Sequence, residues 1–214
     1  MSTSPAMTDE IPVPPASTPE TRGRFDGFLF THRGKLAPAF GIGAMFAAAP
    51  TTPGIVTGVV AMFASSALRL WAIRHIGGAA RVHARKAREG KHLVTTGPFA
   101  LMRNPLYVAN ISGLVALCLM LGPVWYAGVA GVVMLAWYAA VVRWEEGVLI
   151  DLYGDQYVAY RDVTPALLPS LRRLARGNLG GATIPLAKAL RRERGMAVLM
   201  VVAIALALTK QMLG

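Results

Sequence analysis

Five apolar stretches divide this chain and constrain its fold more than any other feature. They run roughly from Leu36 to Ala49, Pro53 to Ile73, Leu106 to Leu121, Val124 to Val142 and Met196 to Thr209. The second and fourth reach the ~20 residues that a helix needs to cross ~30 Å of hydrocarbon. The first, third and fifth are shorter and need flanking residues, local thinning of the bilayer or a re-entrant path. The predicted fold class is therefore all-α, a polytopic membrane protein with about five transmembrane helices.

The connections between the stretches give the orientation. Pro50-Thr51-Thr52-Pro53 and Gly122-Pro123 are short and uncharged, so each closes a helical hairpin and both lie on one side. Essentially all Lys and Arg falls on the other side. Arg74, Arg81, Arg85, Lys86, Arg88 and Lys91 follow the second stretch, and Arg161, Arg172, Arg173, Arg176, Lys188, Arg191, Arg192 and Arg194 follow the fourth. Basic residues in short loops mark the cytoplasmic face, which puts the N-terminus and both long loops inside, in a bacterial inner (plasma) membrane. Trp125 and Tyr126 at one end, with Trp71, Trp137, Tyr138 and Trp144 toward the other, suit the two aromatic belts.

Composition agrees. Apolar residues make up 54% and charged residues only 15% of the 214, where a soluble domain carries about 25% charge. The net charge of +11 follows from the loop bias, and no zinc-finger spacing or aromatic-interleaved RNA-binding motif accompanies it, so no nucleic-acid partner is expected. The single cysteine, Cys118, lies within an apolar run, which excludes a disulfide framework or a cysteine-based metal site. The four histidines, His32, His75, His83 and His92, have no metal-ligand spacing. Residues 1–21 are rich in Ser, Thr and Pro and read as a disordered tail, without the basic start and apolar centre of a secretory signal. A basic segment with interleaved Phe25, Phe28, Leu29 and Phe30 leads into the membrane, and residues 22–214 read as one membrane domain.

Two polar clusters carry the chemistry. The first is His92-Leu93-Val94-Thr95-Thr96-Gly97-Pro98-Phe99, continued by Arg103-Asn104-Pro105-Leu106-Tyr107. Gly97-Pro98 is a turn signal, and Pro105 pushes Asn104 out of the right-handed helical region while itself suiting the first position of a helix. The second cluster follows the fourth stretch: Arg143-Trp144-Glu145-Glu146, Leu149, Tyr153-Gly154, Tyr157 and Tyr160. Glu146, Leu149, Tyr153, Tyr157 and Tyr160 would share one helical face, but Gly154 marks a break within it. Both clusters leave the bilayer on the basic side from adjacent hairpins. They should therefore meet in a pocket with donors, aromatic faces and carboxylates at the lipid boundary. Arg69 and Arg74, near the end of the second stretch, suit either a lipid phosphate or the topology alone.

At these residues the chain resembles the integral membrane methyltransferases related to isoprenylcysteine carboxyl methyltransferase and the phospholipid N-methyltransferases. The family pattern reads here as Leu93-Val94-Thr95-Thr96-Gly97-Pro98-Phe99, Arg103-Asn104-Pro105-Leu106-Tyr107, Glu145-Glu146 with Leu149, and Tyr153-Gly154-Asp155-Gln156-Tyr157 with Tyr160. The match covers residues 91–169. Asn104 stands where the carboxyl methyltransferases carry His, and Val163 where the pattern often has Arg. The resemblance implies an S-adenosylmethionine site on the cytoplasmic face. Lys91, His92, Leu93 and Val94 would run along the cofactor, Phe99 would lie next to it, and Asn104, Pro105, Leu106 and Tyr107 would close over it. Glu145 would be the acid that holds it. Arg103 and Arg143 are candidates for orienting an acidic or phosphate-bearing head group. Glu146 is a candidate for taking a proton from an amine acceptor, a step in which Tyr107 could also take part.

Methyl transfer from a sulfonium needs alignment and dehydration more than a metal or a covalent nucleophile, and positioning alone can supply ~7–11 kcal/mol. The expected function is transfer of a methyl group from S-adenosylmethionine to a lipid or lipophilic small molecule. Two rival expectations remain. Sterol-reductase-type membrane enzymes share a similar Arg-His/Asn-Pro-x-Tyr corner but bind a nicotinamide cofactor, and a non-catalytic scaffold could keep the same helices for partner binding.

Overall fold

The computed structural model describes residue 32 and residues 36–47, 50–77, 93–175 and 177–213. All regular structure among them is helical: α1 (Leu36–Phe46), α2 (Thr52–Ile76), α3 (Pro98–Leu101), α4 (Pro105–Leu121), α5 (Val124–Tyr153), α6 (Asp155–Val163), α7 (Leu171–Leu174) and α8 (Leu186–Leu213). The expected tail 1–21, most of the basic lead-in and the loop bearing Arg81, Arg85, Lys86 and Arg88 lie outside the described residues. Three helices, α2, α5 and α8, are long and apolar enough to cross a membrane, while α1 and α4 are shorter apolar helices.

Two of the five stretches differ from their expected bounds. The last is a helix of 28 residues, because Arg191, Arg192, Glu193 and Arg194 continue it rather than end it. Arg192 Nη1 donates to Gly77 O at 2.8 Å, and Glu193 pairs with Arg69 at 2.5 Å, so the polar turn has partners in the bundle. The fourth, α5, runs 30 residues, or ~45 Å at ~1.5 Å per residue. That exceeds the hydrocarbon thickness, and its last three turns carry Arg143, Glu145 and Glu146 while still helical.

The short helix α4 is the hub, packed against α1, α2, α5 and α8. Its closest neighbour is α2, and small residues explain why. A Cβ on Gly58 would stand 2.6 Å from Met120 Cγ and 2.7 Å from Ala116 O, so only glycine permits this backbone approach. About two turns further, Ser65 Oγ donates to Ala109 O at 2.7 Å. Small residues and a hydroxyl at a helix contact replace the hydrophobic drive that lipid cannot provide. Around them Met62, Leu114, Met120, Met134, Ala130, Ala203 and Ala207 fill the buried core.

The helix ends sort as the hairpin reading requires. At one end Lys210 Nζ donates to Ala44 O (3.2 Å), Ala47 O (2.8 Å) and Leu121 O (2.8 Å), and Gln211 Nε2 donates to Thr52 Oγ1 at 2.5 Å. The ends of α1, α4 and α8 and the start of α2 therefore lie together, with Arg74, Arg103 and Arg192 at the opposite end. Lys210 departs from the bias of basic residues to one side, for a physical reason: one ammonium satisfies the terminal carbonyls of two helices whose dipoles point negative ends at it. Replacing Lys210 with Met is expected to cost about 1–2 kcal/mol. Thermal unfolding in detergent measures it, and an unchanged midpoint would show that water caps these carbonyls equally well.

Candidate active site

The chain enters the site through residues 93–97, which carry no regular structure and end in a bend and a turn. Gly97 N donates to Asn178 O at 2.8 Å, and Pro98 opens α3, whose four residues are all buried. Asn104 then adopts φ −125°, ψ 57°, outside the helical region as the following proline demands, and caps α4 through its carbonyl oxygen. The corner is held from outside by the segment after α6. Arg103 N and Asn104 N donate to Pro165 O (2.9 Å) and Ala166 O (3.0 Å), Asn104 Nδ2 donates to Ala166 O at 3.2 Å, and Ser170 N donates to Leu101 O at 3.0 Å.

The second cluster arrives on α5, which ends at Gly154 with φ +52°. This is a left-handed residue that glycine adopts without a Cβ penalty. The break redirects the chain into α6, so that Tyr157 and Tyr160 turn inward and are buried. Tyr160 Oη donates to Phe99 O at 2.6 Å, and Arg173 Nε donates to Ala100 O at 2.9 Å. α6 and the segment after it thus close against α3.

The two clusters meet through Arg103. Its Nε and Nη2 donate to Glu146 Oε1 at 2.9 and 2.6 Å, and its Nη1 donates to Arg161 O at 2.9 Å and to Thr164 O. One guanidinium therefore joins the start of α4, the end of α5 and the end of α6. Both partners are largely buried, with side chains 11% and 16% exposed. Glu145, the neighbouring residue on α5, is buried. Tyr157 reports how closely these groups gather. Burial first raises its hydroxyl above the ordinary tyrosine range; the charge of Glu146 adds to this, Arg103 opposes it and Glu145 adds again.

Of the residues singled out in the sequence, Arg103, Asn104, Pro105, Phe99 and Glu146 come together in this way. Tyr107 stacks on Tyr138 with centroids 4.5 Å apart and planes at 28°. Leu93 and Val94 are partly buried on the approach. Arg143 is exposed on α5, facing outward at the level of the site. Lys91 and His92 lie outside the described residues. Arg103, a candidate for orienting substrate by sequence, turns its donors to the protein itself. Arg69, a candidate for lipid phosphate, is paired with Glu193 and Asn110.

Other contributors gave little sequence signal. Thr164 is almost wholly buried, its carbonyl accepts from Arg103, and its Oγ1 has no hydrogen-bond partner. Arg173 looks like one more basic loop residue until its bonds to Ala100 and Val163 are seen. Asn110 is a lone amide within an apolar stretch, a placement that signals a polar contact among the helices.

Residues 53–156 match the phospholipid methyltransferase family, from the first turn of α2 into α6. The nickel-cobalt-cadmium resistance protein NccN of Alcaligenes xylosoxydans xylosoxydans is 31% identical over 117 residues, covering 55% of this chain and 50% of that protein. The cobalt-zinc-cadmium resistance protein CzcN of Cupriavidus metallidurans is 30% identical over 117 residues, with the same coverage of 55% and 50%. The chain spans about half the length of these curated relatives. No solved structure matches it.

Proposed function

We propose, from the match of residues 53–156 to the phospholipid methyltransferase family, that the chain is an S-adenosylmethionine-dependent methyltransferase acting on a lipid or lipophilic substrate. In this reading α1, α2, α4, α5 and α8 are the five membrane helices, and the basic end with the site faces the cytoplasm. The observation that carries the reading is the Arg103–Glu146 pair at 2.6 Å. It draws the Arg-Asn-Pro-x-Tyr corner and the Glu-Glu helix end, 43 residues apart in sequence, into one cluster at the bundle's basic end.

The donor set fits a cationic nucleoside cofactor. When bound, the cofactor supplies an activated methyl group on a positively charged sulfur. Glu145 offers the carboxylate that would hold the cation or accept its hydrogen bonds. Leu93, Val94 and Phe99 would line the approach, and Asn104, Pro105, Leu106 and Tyr107 would form the closing corner. Asn104 is held by two bonds to Ala166 O, one from its backbone and one from its amide, which pre-sets the corner before any ligand enters. Arg103 and Glu146 act by holding α4, α5 and α6 at a fixed spacing. Arg143, exposed at the membrane edge, meets a phosphate or carboxylate on the acceptor.

Thermal unfolding of the purified chain in detergent separates this from the reductase reading. S-adenosylhomocysteine at ~100 times its Kd stabilises by ~2.7 kcal/mol, and NADPH is expected to leave the midpoint where it was. Protection by NADPH alone would replace the proposal with the reductase. Labelled methyl from the cofactor, followed into lipid in native membranes and identified by mass spectrometry, then names the acceptor; no label in any lipid would favour a non-catalytic role.

A further inference from the structure

Four helices share a polar chain that the methyltransferase reading leaves without a task. Glu193 on α8 pairs through Oε2 with Arg69 Nε on α2 at 2.5 Å. Arg69 Nη1 donates to Asn110 Oδ1 on α4, and Asn110 Nδ2 donates to Tyr138 Oη on α5 at 3.1 Å. Tyr138, only 3% exposed, is the ring against which Tyr107 of the motif corner stacks. Arg69, Asn110 and Glu193 sit five to seven residues inside the basic ends of their helices, or ~8–11 Å along the axis.

Arg69 and Glu193 pair within the bundle with side chains 27% and 16% exposed, and paired ionisable groups turned into a membrane bundle are candidates for a functional role. The direction of the bonds is informative. Arg69 can only donate, so Asn110 must present its carbonyl oxygen to it and its amide nitrogen to Tyr138. The charge at one end thereby sets the amide orientation in the middle and makes Tyr138 Oη an acceptor at the other end. Such chains reinforce themselves in a low dielectric. Docking of α8 has contacts besides this chain: Ala189, Ala203 and Ala207 are buried and Lys210 anchors the far end.

We propose that Glu193 is a positioning residue for the cofactor site: through Arg69 and Asn110 it pins Tyr138, and the Tyr107–Tyr138 stack fixes Tyr107 at the corner that closes over the cofactor. The assignment rests on the methyltransferase reading. It extends the site to α8, a helix beyond the family-matched residues 53–156.

Calorimetric titration of the full chain in detergent with S-adenosylhomocysteine tests this without measuring activity. Glu193→Gln removes the charge, and Tyr138→Phe removes one oxygen while keeping the ring. Each is expected to weaken binding about tenfold, and the double variant also about tenfold, because both act through one chain of bonds. The unfolding midpoint should stay within about 2 °C of wild type, roughly the shift from 1 kcal/mol or less. Additive losses of about a hundredfold in the double variant would overturn the relay. So would affinity lost only in step with stability, or failure of Glu193→Gln to fold, since either makes the contact purely structural. Wild-type affinity in both variants would sink this assignment alone. A wild-type chain that binds no S-adenosylhomocysteine would reject the methyltransferase reading and the relay together.

Discussion

Replacing Arg103 with alanine is expected to destabilise the protein by about 3 kcal/mol or more, ~6–12 °C in unfolding midpoint, and to free α6 from the bundle. The substitution strips the partner from Glu146 and from the carbonyls of Arg161 and Thr164 in one step. Because the pair is largely buried, the orphaned carboxylate keeps its desolvation cost without the compensating attraction. Arg103→Lys keeps the charge but loses the planar fork whose separate nitrogens reach Glu146 and the carbonyls of Arg161 and Thr164, so it should fall between wild type and alanine. Removing both partners in Arg103→Ala/Glu146→Ala should be milder than the sum of the single changes, since no buried charge is then left alone. Thermal unfolding in detergent gives the stability, and the rate of tryptic cleavage at Arg161, Arg172 and Arg173 reads the release of α6 and the segment after it. Wild-type stability in Arg103→Ala, with methyl transfer impaired, would show instead that this guanidinium serves the substrate.

The apolar helices and the motif corner were legible in the sequence because they depend on local chemistry. Apolar length marks a membrane helix, a proline fixes the conformation of the residue before it, and Gly154 ends α5 where its neighbours would have continued. Partner choice was not legible. Arg103 as a substrate ligand and Arg103 as an internal clamp have the same residue type at the same position. What separates them is that Arg161 O and Thr164 O lie within its reach, which depends on how α6 folds back. Helix bounds failed where tertiary contacts overrule polarity. The basic turn at Arg191–Arg194 looks like a loop by composition, yet it is helix because Gly77 O and Arg69 wait opposite it. Lys210 reads as an exception to the charge bias until the carbonyls of Ala44, Ala47 and Leu121 are found around its ammonium.

The adjacent glutamates of α5 should separate sharply when changed one at a time. Glu145→Ala is expected to weaken cofactor binding in detergent about ten- to hundredfold, since a charge-assisted hydrogen bond contributes ~1.5–3 kcal/mol and each ~1.4 kcal/mol is tenfold in affinity. Its unfolding midpoint without ligand should change less than that of Glu146→Ala, which breaks the Arg103 clamp at 2.6 Å. Successive helical residues point ~100° apart, so a one-residue shift along α5 exchanges a side chain turned to the clamp for one that the proposed reading assigns to the cofactor. Glu145→Gln divides the two ways the acid could act. It keeps a hydrogen-bond acceptor but loses the charge, so an affinity near wild type would make hydrogen bonding the main contribution, and a loss as deep as alanine's would make it charge pairing with the sulfonium. Titration with S-adenosylhomocysteine, whose sulfur is neutral, against S-adenosylmethionine, whose sulfur is cationic, would then report the same division from the ligand's side. Normal affinity in Glu145→Ala would remove this residue from the site and shift the cationic contact elsewhere on the corner.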